Sequence, residues 1–208
     1  MGSIPHGISQ FLPTEYLKGK IYEPHPPTNS GTPTFADVDL VPGSSLTLYK
    51  EEFKSVLLTY DQIFDQVITL HPIFNEKLVL PNEYIDRFEI LGHKFFNLNT
   101  LYDIPEKGFF KEIQSVGDFT AYVKTEKYIE TTYSQTTRAA VIKENHRYFV
   151  HDKNLSGFTE VNQLNTLIEF LKIDRNKTRA LLSANRLDFR STPELSIQLI
   201  FENLPSLN

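Results

Sequence analysis

Apolar runs separated by short polar breaks set the pattern of this chain through its first three quarters. Residues 46–70 read as strand, break, strand: an apolar run at 53–60, a polar turn opened by Asp61-Gln62, and a return at 66–70. The 53–60 run is apolar on both alternating faces, which predicts burial on both sides. Further strands are predicted at 20–22, near Phe35, Val38 and Leu40, and at 77–80, 84–91 and 94–98. Residues 108–114 and 119–128 form a hairpin around Gly117-Asp118. Another hairpin is predicted over 141–151. Its turn is Glu144-Asn145-His146-Arg147, where Asn and His tolerate positive φ. Tyr148 and Val150 then share one face of the returning strand, and Phe149 and His151 the other.

After Glu160 the period changes. Leu164, Leu167, Ile168 and Leu171 follow i, i+3, i+4, i+7, the stripe of an amphipathic helix. Asp174 caps a second helix reaching Asn185, with Ala180, Leu181 and Ala184 inward. Ser191 or Thr192 caps a third beginning at Pro193, with Leu195, Leu199 and Ile200 as its apolar stripe. The predicted class is α+β: mainly antiparallel β-structure, as a barrel, sandwich or curved open sheet, with two to three short C-terminal helices. Residues 1–160 form the β-rich body with an irregular N-terminal arm, and 161–208 a helical tail packed on it, one structural domain overall. Phe11, Leu12, Tyr16 and Leu17 are the arm's anchors. Residues 23–33, with four prolines and one glycine, are a loop rather than a domain linker.

Composition narrows the function classes. Sixteen Phe and ten Tyr compensate for a hydrophobic content of 40% and favour β-structure. A net charge of -5 with no basic face argues against nucleic acid as a partner. No apolar run reaches the length of a membrane-spanning helix. The absence of cysteine removes thiol catalysis and cysteine-based metal sites. Met1-Gly2-Ser3 reads as an expression remnant, so a targeting segment would have been lost with it.

Several segments carry a likeness: Tyr16-Leu17-Lys18-Gly19-Lys20-Ile21-Tyr22, Val56-Leu57-Leu58-Thr59-Tyr60-Asp61 with Asp65-Gln66-Val67-Ile68, and the run from Phe88 to Phe95-Phe96. Gly108-Phe109-Phe110-Lys111-Glu112-Ile113, Tyr148-Phe149-Val150 and Leu187-Asp188-Phe189 complete it. Together they resemble an uncharacterised family of exported Bacteroidetes proteins. The likeness spans most of the chain, although the proline-rich loop interrupts the family's opening strand. The resemblance implies a periplasmic or outer-membrane-associated protein with a signal peptide, and it carries no activity.

Candidate chemistry is sparse. Asp61 and Asp65, four apart, have the oxygen chemistry for Ca²⁺ but no EF-hand spacing, and fit better as residues shaping a turn. His151-Asp152 is a base-and-orienter dipeptide whose side chains point to opposite faces, and no G-x-S-x-G nucleophile elbow accompanies it. Six histidines (His6, His25, His71, His93, His146 and His151) show no paired metal-ligand spacing, and His6, His25 and His146 are read as solvated. The pairs Phe95-Phe96, Phe109-Phe110 and Tyr148-Phe149 are core material or, on an outward face, a stacking platform. No catalytic, cofactor or metal residue is assigned. The expected function is a non-catalytic envelope module binding a protein or glycan. The alternatives are a hydrolase with a dispersed site built from His93, His151 and Asp61 or Asp65, and a scaffold using the helices at 162–204.

Overall fold

A computed structural model describes residues 11–102, 107–133, 138–155 and 157–207. His6, Met1-Gly2-Ser3 and Ser156 of the Ser156-Gly157 turn lie outside the described residues. Eleven strands form one open antiparallel sheet in the order β1-β5-β4-β3-β2-β6-β7-β8-β9-β10-β11. They are β1 Lys20–Ile21, β2 Val41–Leu48, β3 Glu51–Asp61, β4 Gln66–Leu70, β5 Lys77–Val79, β6 Ile85–Ile90, β7 His93–Asn97, β8 Phe109–Val116, β9 Phe119–Tyr133, β10 Arg138–Asp152 and β11 Phe158–Glu160. One helical turn, α1 (Leu98–Leu101), follows β7. The later helices are α2 Leu164–Leu171, α3 Arg175–Ala184, α4 Pro193–Glu202 and the short α5 Leu204–Leu207. The α+β class is therefore correct, and the sheet is open rather than closed. Both edge strands are only two or three residues long, which limits pairing with other chains.

The chain divides into two compact units interleaved in sequence. One comprises Met1–Phe109 with Thr125–Asn145, the other Phe110–Lys124 with His146–Asn208. In the N-terminal unit, β3 pairs through Thr59↔Ile68 and Asp61↔Gln66 with β4, closing the predicted turn at Asp61–Asp65. Residues 46–70 hold a second turn that the apolar pattern conceals. Leu48 pairs with Glu51, and the two residues between them, Tyr49 and Lys50, both have positive φ (51° and 67°). Two-residue hairpin turns of this kind ordinarily use Asn or Gly. Here tertiary contacts hold the strained residues: Tyr49 stacks on Tyr84 at 4.4 Å, and Lys50 Nζ donates to Asp86 Oδ1 at 2.6 Å. The unit's core is aromatic, with Tyr60, Phe88, Phe95 and Phe109 in mutual ring contact at 4.7–5.8 Å. Leu12 is buried and Tyr16 packs edge-on against Phe53, so both anchor the arm, whereas Phe11 is exposed. Gly19 is required where the chain enters β1, because a Cβ there would lie 1.8 Å from the Val79 carbonyl oxygen.

Six expectations change on inspection of the backbone and burial. The 53–60 run is buried only from Val56 onward, with Lys54 and Ser55 exposed. The Ser191 and Thr192 hydroxyls donate to the Asp188 carbonyl instead of capping α4. Phe35 begins a 3-10 turn, Phe35–Asp37, rather than a strand. The predicted hairpin at 141–151 does not exist: β10 runs unbroken through Glu144-Asn145-His146-Arg147. Positions 143–146 are exposed, so their polarity marks a strand segment that buries neither face, not a turn. On α3 the buried residues are Thr178 and Leu182, while Ala180 and Ala184 are exposed. On α4 they are Ser196, Ile197, Ile200 and Phe201, with Leu195 exposed. Alanine and isolated leucine are weak markers of which face turns inward, since both are common on surfaces. The hairpin at Gly117-Asp118, the α2 stripe and the Asp174 cap, which accepts from Lys177 N at 2.7 Å, are as predicted.

Candidate functional site

In the N-terminal unit, the proline-rich segment after β1 is fastened along its length. Pro24, Pro26, Pro27 and Pro33 donate no backbone hydrogen bond, so the intervening residues and their carbonyls carry the attachment. Asn29 exchanges two bonds with Ala140: its N–H donates at 2.7 Å and its Oδ1 accepts at 2.8 Å. Ile142 N donates to Ser30 O, and Gln62 N to Pro33 O. The Lys127 ammonium, almost buried, donates to the carbonyls of Thr32 (3.1 Å) and Thr34 (2.7 Å).

Asp61 is the hub of this attachment. It is fully buried and accepts four hydrogen bonds. Its Oδ1 takes the amides of Ile63 (2.8 Å) and Phe64 (3.2 Å), the turn-shaping role expected of it. Its Oδ2 takes the Tyr22 hydroxyl (2.9 Å) and His25 Nε2 (2.6 Å). Carboxylate oxygens accept, so in this pair His25 Nε2 carries its hydrogen. The His25 side chain is 5% exposed and stacks on Phe64 at 4.1 Å. His25 is therefore not solvated as expected: it lies in an irregular segment but is drawn inward by a carboxylate 36 residues away. Burial and the Asp61 carboxylate raise the Tyr22 pKa, so the hydroxyl keeps its proton as donor. Asp65 plays a parallel part, with Oδ1 accepting from the Tyr60 hydroxyl (2.6 Å) and Phe109 N (3.3 Å). Burial and Asp65 raise the Tyr60 pKa in the same sense.

Tyr22 and His25 line a cavity of about 390 Å3 beneath the prolines, with Thr59, Asp39 and Lys77 on its other walls. A histidine on a carboxylate beside a cavity is base-and-orienter geometry. Of the threonine hydroxyls on the cavity walls, those of Thr59 and Thr28 donate to the carbonyls of Val38 (3.2 Å) and Gly31 (3.3 Å) and that of Thr32 to the Asp37 carboxylate, so none of these three bonds is to His25. Among the described residues no group of three or more His, Asp or Glu is placed to hold a metal ion.

The histidines named for a dispersed site have surroundings of their own. His93 is exposed and packs edge-on against Phe35. His151 is 1% exposed, with its ring stacked on Phe158 at 4.5 Å, and burial lowers its pKa. His71 accepts from Ile73 N and Phe74 N through Nδ1 in the loop after β4. Of the aromatic pairs, Phe95, Phe109, Phe110 and Phe149 are buried core, with Phe110 meeting Phe149 edge-on at 5.4 Å, whereas Phe96 and Tyr148 are half-buried.

The C-terminal unit carries a second concavity that the apolar pattern did not reveal. Its core packs Ile197, Ile200 and Phe201 of α4 and Leu167 of α2 with Ala121 of β9 and Val150 of β10. Beside this core lies an open groove of about 970 Å3. Tyr148, Leu182, Leu187 and Phe189 supply apolar wall, and His146, Arg179, Arg186 and Arg190 line it with basic groups. Elsewhere in the unit two basic side chains make close bonds to carboxylates, while Lys153 and Lys177 donate to the carbonyls of Gly117 and Ser206. Arg147 binds Glu160 through two bonds (3.0 and 2.8 Å), which lowers the Glu160 pKa, and Lys111 Nζ donates to Glu194 at 2.7 Å. Arg179 reaches only the Asn165 amide oxygen, at 3.4 Å, and Arg186 and Arg190 form no ion pair among the described residues. Asp188, also on the groove, accepts from the Ser191 hydroxyl at 3.2 Å. The available sequence signal was the spacing of Arg179, Arg186 and Arg190, seven and then four residues apart.

In comparison with known proteins, no family model matches the chain, and neither a curated protein nor a solved structure is significantly similar to it.

Proposed function

We propose that the protein is a non-catalytic binding module that takes a protein or glycan partner in the groove of its C-terminal unit. The observation behind this reading is the groove itself: about 970 Å3, open, with apolar wall and a polar rim in one concavity. A location in the bacterial envelope belongs to the same proposal, and fractionation of the native host tests it. Ligand binding is tested by thermal shift with a panel of acidic, basic and apolar peptides and of neutral and uronate oligosaccharides. One class is expected to raise the unfolding temperature saturably. Ser183→Trp, which fills the groove from an exposed position, is expected to remove that shift. No shift with any class, or an undiminished shift in Ser183→Trp, overturns the proposal.

A hydrolase is the second reading, and the His25–Asp61 pair beside its cavity is what favours it. Turnover of chromogenic esters or glycosides, lost in a folded His25→Gln variant, would support it. No turnover across such a panel would exclude it for those substrates. The scaffold reading is weaker, because the C-terminal helices supply most of their unit's core and their removal would expose it.

A further inference from the structure

We propose that the occupant of the C-terminal groove is an extended acidic segment of a partner protein, with apolar side chains between its carboxylates. This deepens the binding-module reading and rests on it. Three guanidinium groups, Arg179, Arg186 and Arg190, line one concavity without a carboxylate partner among the described residues. The chain has 26 acidic against 21 basic residues, so carboxylates are not scarce. The neighbouring Arg147 and Lys111 have found theirs. The three arginines share the groove's lining with one carboxylate, Asp188, so the lining carries an excess of positive charge that an anionic ligand complements. Guanidinium's planar fork matches carboxylate geometry through two parallel hydrogen bonds.

The walls select among anions. Tyr148, Leu164, Leu187 and Pro193, all half-buried, present apolar surface in the same groove as the arginines. A uronate chain has carboxylates but no apolar side chains for these walls. A small phosphorylated molecule would leave much of an open groove of this size unfilled. An extended peptide alternating carboxylate and aliphatic side chains satisfies both the charge and the wall.

The test uses a fluorescent octapeptide alternating Glu and Leu, its Gln-for-Glu counterpart, and an oligogalacturonate of matching charge, each titrated into the full chain. Saturable binding of the Glu peptide is expected, weaker by about tenfold or more for the Gln peptide and for the Arg186→Ala/Arg190→Ala variant. Both arginines are exposed, so that variant is expected to fold. Absent saturable binding, equal affinity for the Gln peptide, unchanged affinity in the double variant, or equal affinity for oligogalacturonate each overturns the acidic-segment proposal. Binding of another ligand that Ser183→Trp abolishes would overturn this inference while leaving the binding-module reading in place.

Discussion

The two units treat charge in opposite ways. In the N-terminal unit, Asp61, His25 and Lys127 are turned inward and bonded to their own chain. In the C-terminal unit, Arg179, Arg186 and Arg190 face an open groove and lack a carboxylate among the described residues. A buried charge left unpaired is costly, so the N-terminal arrangement fixes the proline-rich segment in place. An exposed charge beside a concavity costs little to keep and stays available to a ligand. The contrast separates a polar cluster that builds the fold from one that faces outward.

The largest effect is expected from Asp61→Ala, which leaves His25, the Tyr22 hydroxyl and two turn amides without their acceptor. A loss of about 3–5 kcal/mol in urea unfolding is expected. A loss under 1 kcal/mol would mean that the buried cluster is not structural. Ile200→Ala, at a fully buried site on α4, is expected to cost about 2–5 kcal/mol. A surface-like cost there would detach the helices from the core and revive the scaffold reading. Tyr22→Phe removes one bond of the cluster, with about 1 kcal/mol expected by the same measurement.

The pH dependence is smaller and belongs to the C-terminal unit. Burial holds the His151 imidazole below its ordinary value of 6.5. Above that pH the ring is neutral whether folded or not and contributes no slope. As pH falls below it, the unfolded chain takes up a proton that the folded site resists, so stability is lost until the lowered folded value is reached. His151→Phe keeps a ring against Phe158 and is expected to flatten this part of the stability curve between neutral and mildly acid pH. An unchanged slope would assign the acid sensitivity elsewhere. Arg186→Ala/Arg190→Ala is expected to move stability least, by about 0.5 kcal/mol or less.

Much of the fold was legible where local pattern and local chemistry agree. The Asp61–Asp65 turn, the Gly117-Asp118 hairpin, the α2 stripe and the Asp174 cap each sit within a few residues of the signal that marks them. The Tyr49-Lys50 turn was concealed because Tyr84 and Asp86, more than thirty residues away, stabilise a conformation these residues do not favour alone. The polar run Glu144-Asn145-His146-Arg147 was misleading because exposure on both faces of a strand resembles a turn in composition. The His25–Asp61 bond was illegible because it joins residues that no period relates, and the arginine spacing was uninformative because only Arg179 lies on a helix, with Arg186 and Arg190 beyond its end. The Asp61 half of the first was visible, as a residue shaping a turn.

The most direct test measures stability and binding of the Glu/Leu octapeptide side by side in Asp61→Asn and Arg186→Ala/Arg190→Ala, each below its unfolding midpoint. The expected result is opposite losses: Asp61→Asn unfolds more easily yet binds as tightly as the parent chain, whereas the arginine variant keeps its stability and loses the peptide. Lost binding in Asp61→Asn together with retained binding in the arginine variant would contradict the assignment of structure to one cluster and recognition to the other.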